Sequence, residues 1–367
     1  MDPAELRASI PALERCTYFN TGASGPSPRN VVGAATDFLE HHAFEAPAGQ
    51  GPYDVAWSEL AAAREVVAGH VGAAPEDVAL TRSTADGVNL VACAIDWQPG
   101  DVVVRTDLEH PAGTLPWDRL ADTHDVEVRV IETEDGRLDI DEVKATVADA
   151  RLVSLSSLTW THGTRLPVGE VVDIAHDAGA QVLVDAVQSL GQHPVDVTEW
   201  GADFVAMAGH KWLLGVWGSG VLYVDPAAHD RLRPRRIGYR SVTDPTAPDY
   251  TYHAGARRFE VGTTQPAPYA ALAEAIETIE AVGLDTVQSR VADLTDRLKA
   301  GLGDRLVSPR EYESGLVSFT AEDPAATVER LAEDGIVARS LPHPDVVRAS
   351  VHVFNTREDV DALLERV

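Results

Sequence analysis

From about residue 75 to residue 225, short apolar runs alternate with amphipathic stretches. Asp101–Thr106 follows a Pro-Gly pair, Val126–Ile131 alternates, Arg151–Ser157 turns from apolar to Ser-rich, and Ala180–Asp185 closes on a carboxylate. Phe204–Met207 and Gly220–Val224 continue the series. Runs of this length between turn signals predict strands, and the intervening Ile140–Ala148 and Pro167–Ala178 predict helices. The alternation predicts an α/β fold with a mainly parallel sheet covered on both faces. Ligands of such sheets bind beyond the carboxyl ends of the strands. After residue 265 the texture changes: helix-like stretches over Pro268–Val282 and Asp285–Leu302 lead to short strands at Gly315–Thr320 and Val347–Phe354 and a last helix from Arg357. This predicts a smaller α+β unit on which the first fifteen residues pack, so that 16–275 forms a large domain and 1–15 with 276–367 a small one.

A chain of 367 residues that is 44% hydrophobic is long enough for two packed domains. It has no apolar run of membrane-spanning length, no basic-then-apolar leader, and two cysteines that form neither a disulfide framework nor a CxxC pair. A cytoplasmic protein without a metal site is expected. The formal charge of −28 repels nucleic acid and anionic membranes, so neither is expected as a partner. The acids are spread along the chain, and the only lysines are Lys144, Lys211 and Lys299. That combination points to a halophilic protein, whose self-repulsion salt screens; a genome bias toward arginine is the alternative.

Scarcity makes the lysines informative. Lys144 and Lys299 lie among charges on predicted helices, whereas Lys211 stands in the apolar Ala208–Gly215 segment. A desolvated amine has a lowered pKa and suits Schiff-base chemistry; a snorkelling lysine at a sheet end is the alternative. Asp185, closing an apolar strand, suits the partner of a pyridinium nitrogen or a helix cap, and Gln188 could bond a ring hydroxyl or be an ordinary surface amide. Ser83 and Thr84 open a predicted helix, where hydroxyls and free N–H groups cap the helix or bind phosphate. His110, after a strand, could stack on an aromatic ring or serve structure.

The order and spacing of these segments resemble the class V aminotransferase family, which includes cysteine desulfurases, cysteine and selenocysteine lyases and isopenicillin-epimerase-like proteins. The resemblance is carried by Tyr18–Gly22, Ser83–Asp86, Glu109-His110, Asp185–Gln188, Gly209–Trp212, Arg258–Thr263, Arg348–Ser350 and Phe354–Val360. It implies a fold-type-I enzyme dependent on pyridoxal 5'-phosphate (PLP), with a seven-stranded sheet and a small C-terminal domain, acting on an amino-acid substrate. By the same resemblance, Lys211 is the Schiff-base lysine, Asp185 the partner of the pyridine nitrogen, Gln188 the residue at the ring hydroxyl and His110 the stacking residue. Ser83, Thr84 and His210 would hold the phosphate. Thr263 would reach the neighbouring subunit's phosphate, which implies a homodimer with shared active sites. Arg348 would grip the substrate carboxylate through a two-pronged guanidinium contact, with Asn20 also at the substrate. Tyr18, Trp160, Tyr239, Arg240 and His343 are further pocket candidates.

The chain departs from the family pattern at three places. Ala208 stands where a phosphate hydroxyl is common. Trp160 replaces the Asn of the desulfurase branch, which leaves Thr159, or His162, to contact the cofactor. The stretch Arg339–Arg348 lacks the mobile cysteine a desulfurase needs, and Cys93 reads as a buried structural thiol. Amino-group transfer therefore stands as the first expectation. Direct C–S or C–Se lysis without a persulfide cysteine is its close alternative, and epimerisation is the third.

Overall fold

The computed structural model describes all 367 residues. In chain order the strands are β1 (Thr17–Tyr18), β2 (Val78–Thr81), β3 (Val102–Thr106), β4 (Glu127–Ile131), β5 (Ala150–Ser156), β6 (Gln181–Asp185), β7 (Phe204–Ala208), β8 (Gly220–Val224), β9 (Leu316–Phe319), β10 (Ile336–Val337), β11 (Arg339–Pro342) and β12 (Asp345–Ser350). Seven of them form the main sheet in the order β2-β8-β7-β6-β5-β3-β4, and only β8 runs antiparallel to its neighbours. Alternation within each strand feeds two cores. Val102 and Val104 of β3, with Val182 and Val184 of β6, face one side, while Val103 and Leu183 face the other. This is the sheet buried on both faces that the apolar runs predict.

β9, β11 and β12 form a separate antiparallel sheet, order β11-β12-β9, in the C-terminal α+β region. Two long helices, Ala267–Val282 and Leu284–Leu302, lead into it and are separated by Gly283 at φ +86°. The N-terminal helix Pro3–Ala8 is bonded to this region: Arg7 Nη1 donates to Phe354 O at 3.0 Å and to Asp359 at 2.8 Å.

Two local expectations are corrected. The strand read as Val347–Phe354 stops at Ser350, because Asn355 Oδ1 takes the His352 N–H and turns the chain. β11, a polar segment with no alternation of its own, becomes a strand only by pairing with β12, Arg339 opposite Arg348.

Candidate active site

The polar residues at the carboxyl ends of the central strands converge on a cavity of about 230 Å³. Ser83, Thr84, His110, Asp185, Gln188, His210, Lys211 and Arg348 line it, with Trp160, Trp217 and Arg339. A larger cavity of about 570 Å³ lies outside it, by Arg82, Cys93, Arg235 and Phe259. It has no amine or acid pair, so size does not identify the site; chemistry does.

Lys211 sits in a tight turn after β7. Gly209 O accepts from Gly215 N at 2.9 Å, Lys211 O from Leu214 N at 3.1 Å, and His210 O from Gly25 N at 2.8 Å. Gly25 is required there, because a Cβ would come within 2.2 Å of Lys211 O. The residue is half-buried and lines the cavity. Burial pushes its pKa down to about 8; Asp185 opposes this shift, and Arg348 and Arg339 reinforce it. The amine can therefore be neutral near physiological pH.

Asp185 ends β6 and is buried; Oδ1 accepts the Val187 N–H at 2.9 Å. Burial raises its pKa, while that hydrogen bond and the Lys211 charge pull it back. Ser83 caps the helix Thr84–Ala94 by accepting the Asp86 N–H at 3.1 Å. Its oxygen accepts there while its O–H stays available to donate, and Thr84 Oγ1 is buried without a partner. His110 Nδ1 accepts the Ala112 N–H at 3.2 Å, which places the proton of the neutral ring on Nε2. Its ring meets Trp160 edge-on, centroids 5.2 Å apart. Burial, then the Lys211, Arg339 and Arg348 charges, push its pKa down to about 4. Gln188 is held at both ends: Oε1 accepts from Trp212 Nε1 at 2.8 Å, and Nε2 donates to Gly22 O at 2.9 Å. One N–H of the amide remains for a ring hydroxyl.

Arg348 is 1% exposed and has no carboxylate partner. Nη1 donates to Trp160 O at 2.8 Å, and Nε is unpaired. Burial, then Arg339, push its pKa down to about 9. A buried guanidinium without an anion is costly, and a ligand carboxylate satisfies it.

Three expected residues lie off this cavity. The Thr159 hydroxyl accepts the Thr164 N–H at 3.0 Å inside a turn, and Trp160 takes the wall instead. Asn20 Oδ1 is buried and unpartnered beside β12, to which Asn20 bridges at Ser350. Thr263 lines a different cavity, its hydroxyl 2.7 Å from that of Tyr239. Of the further pocket candidates, Trp160 alone lines the cavity; Arg240 instead lies over the Trp57 ring at 3.9 Å. Cys93 is exposed rather than buried, on the solvent side of its helix.

Trp217, Arg339 and Glu109 carried no site role in the sequence analysis. Arg339 enters the cavity only through the β11–β12 register. Glu109 is buried beneath the His110 turn and accepts from Thr106 Oγ1 at 2.7 Å, Ser156 N at 3.0 Å and Ser156 Oγ at 2.7 Å. Its place beside His110 in the chain was the available signal.

An amine of lowered pKa, an acid behind it, an orphaned hydroxyl at a helix start and an unpaired arginine fit PLP and an amino-acid carboxylate. The family model "Aminotransferase class-V" matches residues 17–363. The chain belongs to the class-V aminotransferase family. It is a fold-type-I, PLP-dependent enzyme related to the cysteine desulfurases. A probable cysteine desulfurase of Methanothermobacter thermautotrophicus is 32% identical over 391 residues, covering 100% of this chain and 97% of the relative. The cysteine desulfurase of Haloferax volcanii is 30% identical, covering 100% and 96%. Among solved structures, the apo cysteine desulfurase of Thermococcus onnurineus superposes with a TM-score of 0.93 at 31% identity, covering 100% of this chain and 97% of that one. The cystine C–S lyase C-DES, in complex with its reaction product cysteine persulfide, superposes with a TM-score of 0.92 at 28% identity, covering 97% and 98%. No helix is long and apolar enough to cross a membrane.

Proposed function

We propose that this enzyme is a PLP-dependent carbon–sulfur lyase acting on a cystine-type amino acid, and that it releases the sulfur leaving group directly. The observation that carries the reading is the β11–β12 hairpin. Its two-residue turn, His343-Pro344, leaves no loop for a mobile cysteine, and the hairpin presents two guanidiniums to the cavity. Neither cysteine lines that cavity: Cys16 is half-buried near the N-terminus and Cys93 lies on the outer cavity. A desulfurase's sulfur acceptor is thus missing, while a second carboxylate has a partner in Arg339. The similarity to desulfurases and to a cystine lyase weighs against amino-group transfer, the first expectation.

In this reading Lys211 would hold the cofactor, with Asp185 serving its ring nitrogen, His110 its ring, Gln188 its hydroxyl, and Thr84 with Ser83 and His210 its phosphate. Bound PLP supplies an electron sink for the pair left on the substrate α-carbon. Arg348 takes the α-carboxylate and Arg339 the distal one. Lys211, as a neutral amine, would take the α-proton. The Cβ–S bond breaks with its electron pair on sulfur. With one water, cystine yields cysteine persulfide, pyruvate and ammonia.

In the same reading the residues divide into two domains, 16–275 and 1–15 with 276–367. We further propose a homodimer in which Thr263 serves the partner's phosphate. Exposed Tyr53, Tyr239, Tyr250 and Trp217 support a covered face; a fully active monomer in sedimentation would remove the dimer.

The test is a visible spectrum of the PLP-loaded enzyme during addition of cystine or cysteine without a keto acid. Pyruvate should accumulate while the yellow colour persists, together with persulfide from cystine or sulfide from cysteine. Bleaching to the pyridoxamine form, reversed by a keto acid, would make the enzyme a transaminase.

A further inference from the structure

The turn that carries Lys211 is bonded to the C-terminal region by one side chain, His352. The residue is fully buried, two positions past the end of β12 and four past Arg348. Nδ1 accepts the Val353 N–H at 2.8 Å, so the proton of the neutral ring is on Nε2, which lies 2.9 Å from Trp212 O. Trp212 comes directly after Lys211. The imidazole is stacked between Trp212 (17°, 5.7 Å) and Phe354 (13°, 5.0 Å). Burial pushes its pKa down to about 4, so it remains a neutral donor at neutral pH.

The contact continues round the cavity floor. Trp212 Nε1 donates to Gln188, and Gln188 donates to Gly22 O; both Gln188 and Gly22 line the cavity. On the other side, Gly315 has no Cβ because one would stand 2.7 Å from the Trp212 ring, and its N–H donates to Gln192 Oε1 at 2.8 Å. An apolar ring could fill the space that His352 occupies. What it could not do is donate to the Trp212 carbonyl, which would be left buried and unpaired.

We propose that His352 is a positioning residue for Lys211: through the Trp212 carbonyl it fixes the lysine turn relative to the strand that carries Arg348. The inference rests on Lys211 being the cofactor lysine. Misplacement of an amine by a fraction of an ångström slows attack without preventing it, so the effect belongs in rates rather than in substrate affinity.

His352→Phe keeps the ring stack and removes the donor; His352→Gln restores a donor. Each is compared with wild type as full-length protein loaded with PLP. The Phe variant should form the Schiff base chromophore more slowly from added PLP, and its kcat should fall roughly tenfold, the worth of one hydrogen bond, with KM changed less than about twofold. The Gln variant should recover most of both rates. Wild-type rates in the Phe variant would overturn the inference, as would equal losses in Phe and Gln that track a lowered Tm. If the Phe variant does not fold, histidine-selective 15N NMR of the wild type decides. A proton on Nε2 of His352, with a resonance that moves when PLP is loaded, supports the inference; a proton on Nδ1 or an unmoved signal ends it. Borohydride reduction with peptide mapping separates the two claims. PLP fixed to another lysine removes the Lys211 reading itself, whereas PLP on Lys211 with silent His352 variants removes only this inference.

Discussion

Replacing Arg339 tests whether the enzyme reads a second carboxylate. Arg339 sits opposite Arg348 across the hairpin and lines the cavity, but unlike Arg348 it is exposed. A hydrogen bond to a charged group contributes about 1.5–3 kcal/mol, and solvent screening at an exposed arginine moves the expectation to about 1–2 kcal/mol. Arg339→Gln should therefore lower kcat/KM for cystine by roughly 5- to 30-fold. Cysteine and S-methylcysteine have no distal carboxylate and should lose much less. The same charge depresses the Lys211 and Arg348 pKa values. Its removal favours the protonated amine, so the acid limb of the pH–rate profile, where Lys211 must lose its proton, should move to higher pH. Pyruvate release, monitored across pH for the three substrates, measures both effects. An equal loss for all three substrates, or no loss for cystine, would refute the role of Arg339 as partner of a second carboxylate.

Lys211→Ala should abolish the protein-bound chromophore and turnover; a yellow variant that borohydride can still fix to the protein would refute the assignment. Arg348→Ala should raise KM for every amino acid by at least roughly tenfold, since it removes a buried charge-assisted contact, and unchanged kinetics would take Arg348 out of the site. Burial raises the Glu109 carboxyl from 4.5 to about 7, with its hydrogen bonds opposing the shift. A raised acid contributes stability that is present below 4.5 and lost as pH rises through about 7. Tm of wild type should therefore fall relative to Glu109→Gln over that window, and parallel curves would contradict it. With a net charge of −28 spread along the chain, Tm should climb with added KCl; indifference to salt would leave genome composition as the reason for the scarce lysine.

Much of the fold was legible because its signals are local. Apolar runs such as Val102–Val104 and Val182–Val184 state their burial, and a parallel sheet places the residues at the carboxyl end of each strand along one edge. That is why Lys211, Asp185, His110, Ser83 and Thr84, spread over more than a hundred residues, could be placed in one site in advance. The roles proposed for them, and the choice of Arg348, come from the family resemblance.

The features that the sequence could not settle depend on register and on packing between distant segments. Arg339 reaches the cavity only because β11 pairs with β12, and no pattern in its own segment predicts that strand. Thr159 and Trp160 are neighbours, yet a turn closed by Thr164 buries one hydroxyl and sends the other residue to the wall. Cys93 sits in an apolar stretch but on the solvent side of its helix, because the helix rotation is set by what the sheet covers. His352 looks like any core histidine until the fold brings Trp212, 140 positions away, against its Nε2. Local chemistry fixes what a side chain can donate or accept; only the tertiary structure decides which partner is within 3 Å of it, because hydrogen bonds fall off over fractions of an ångström.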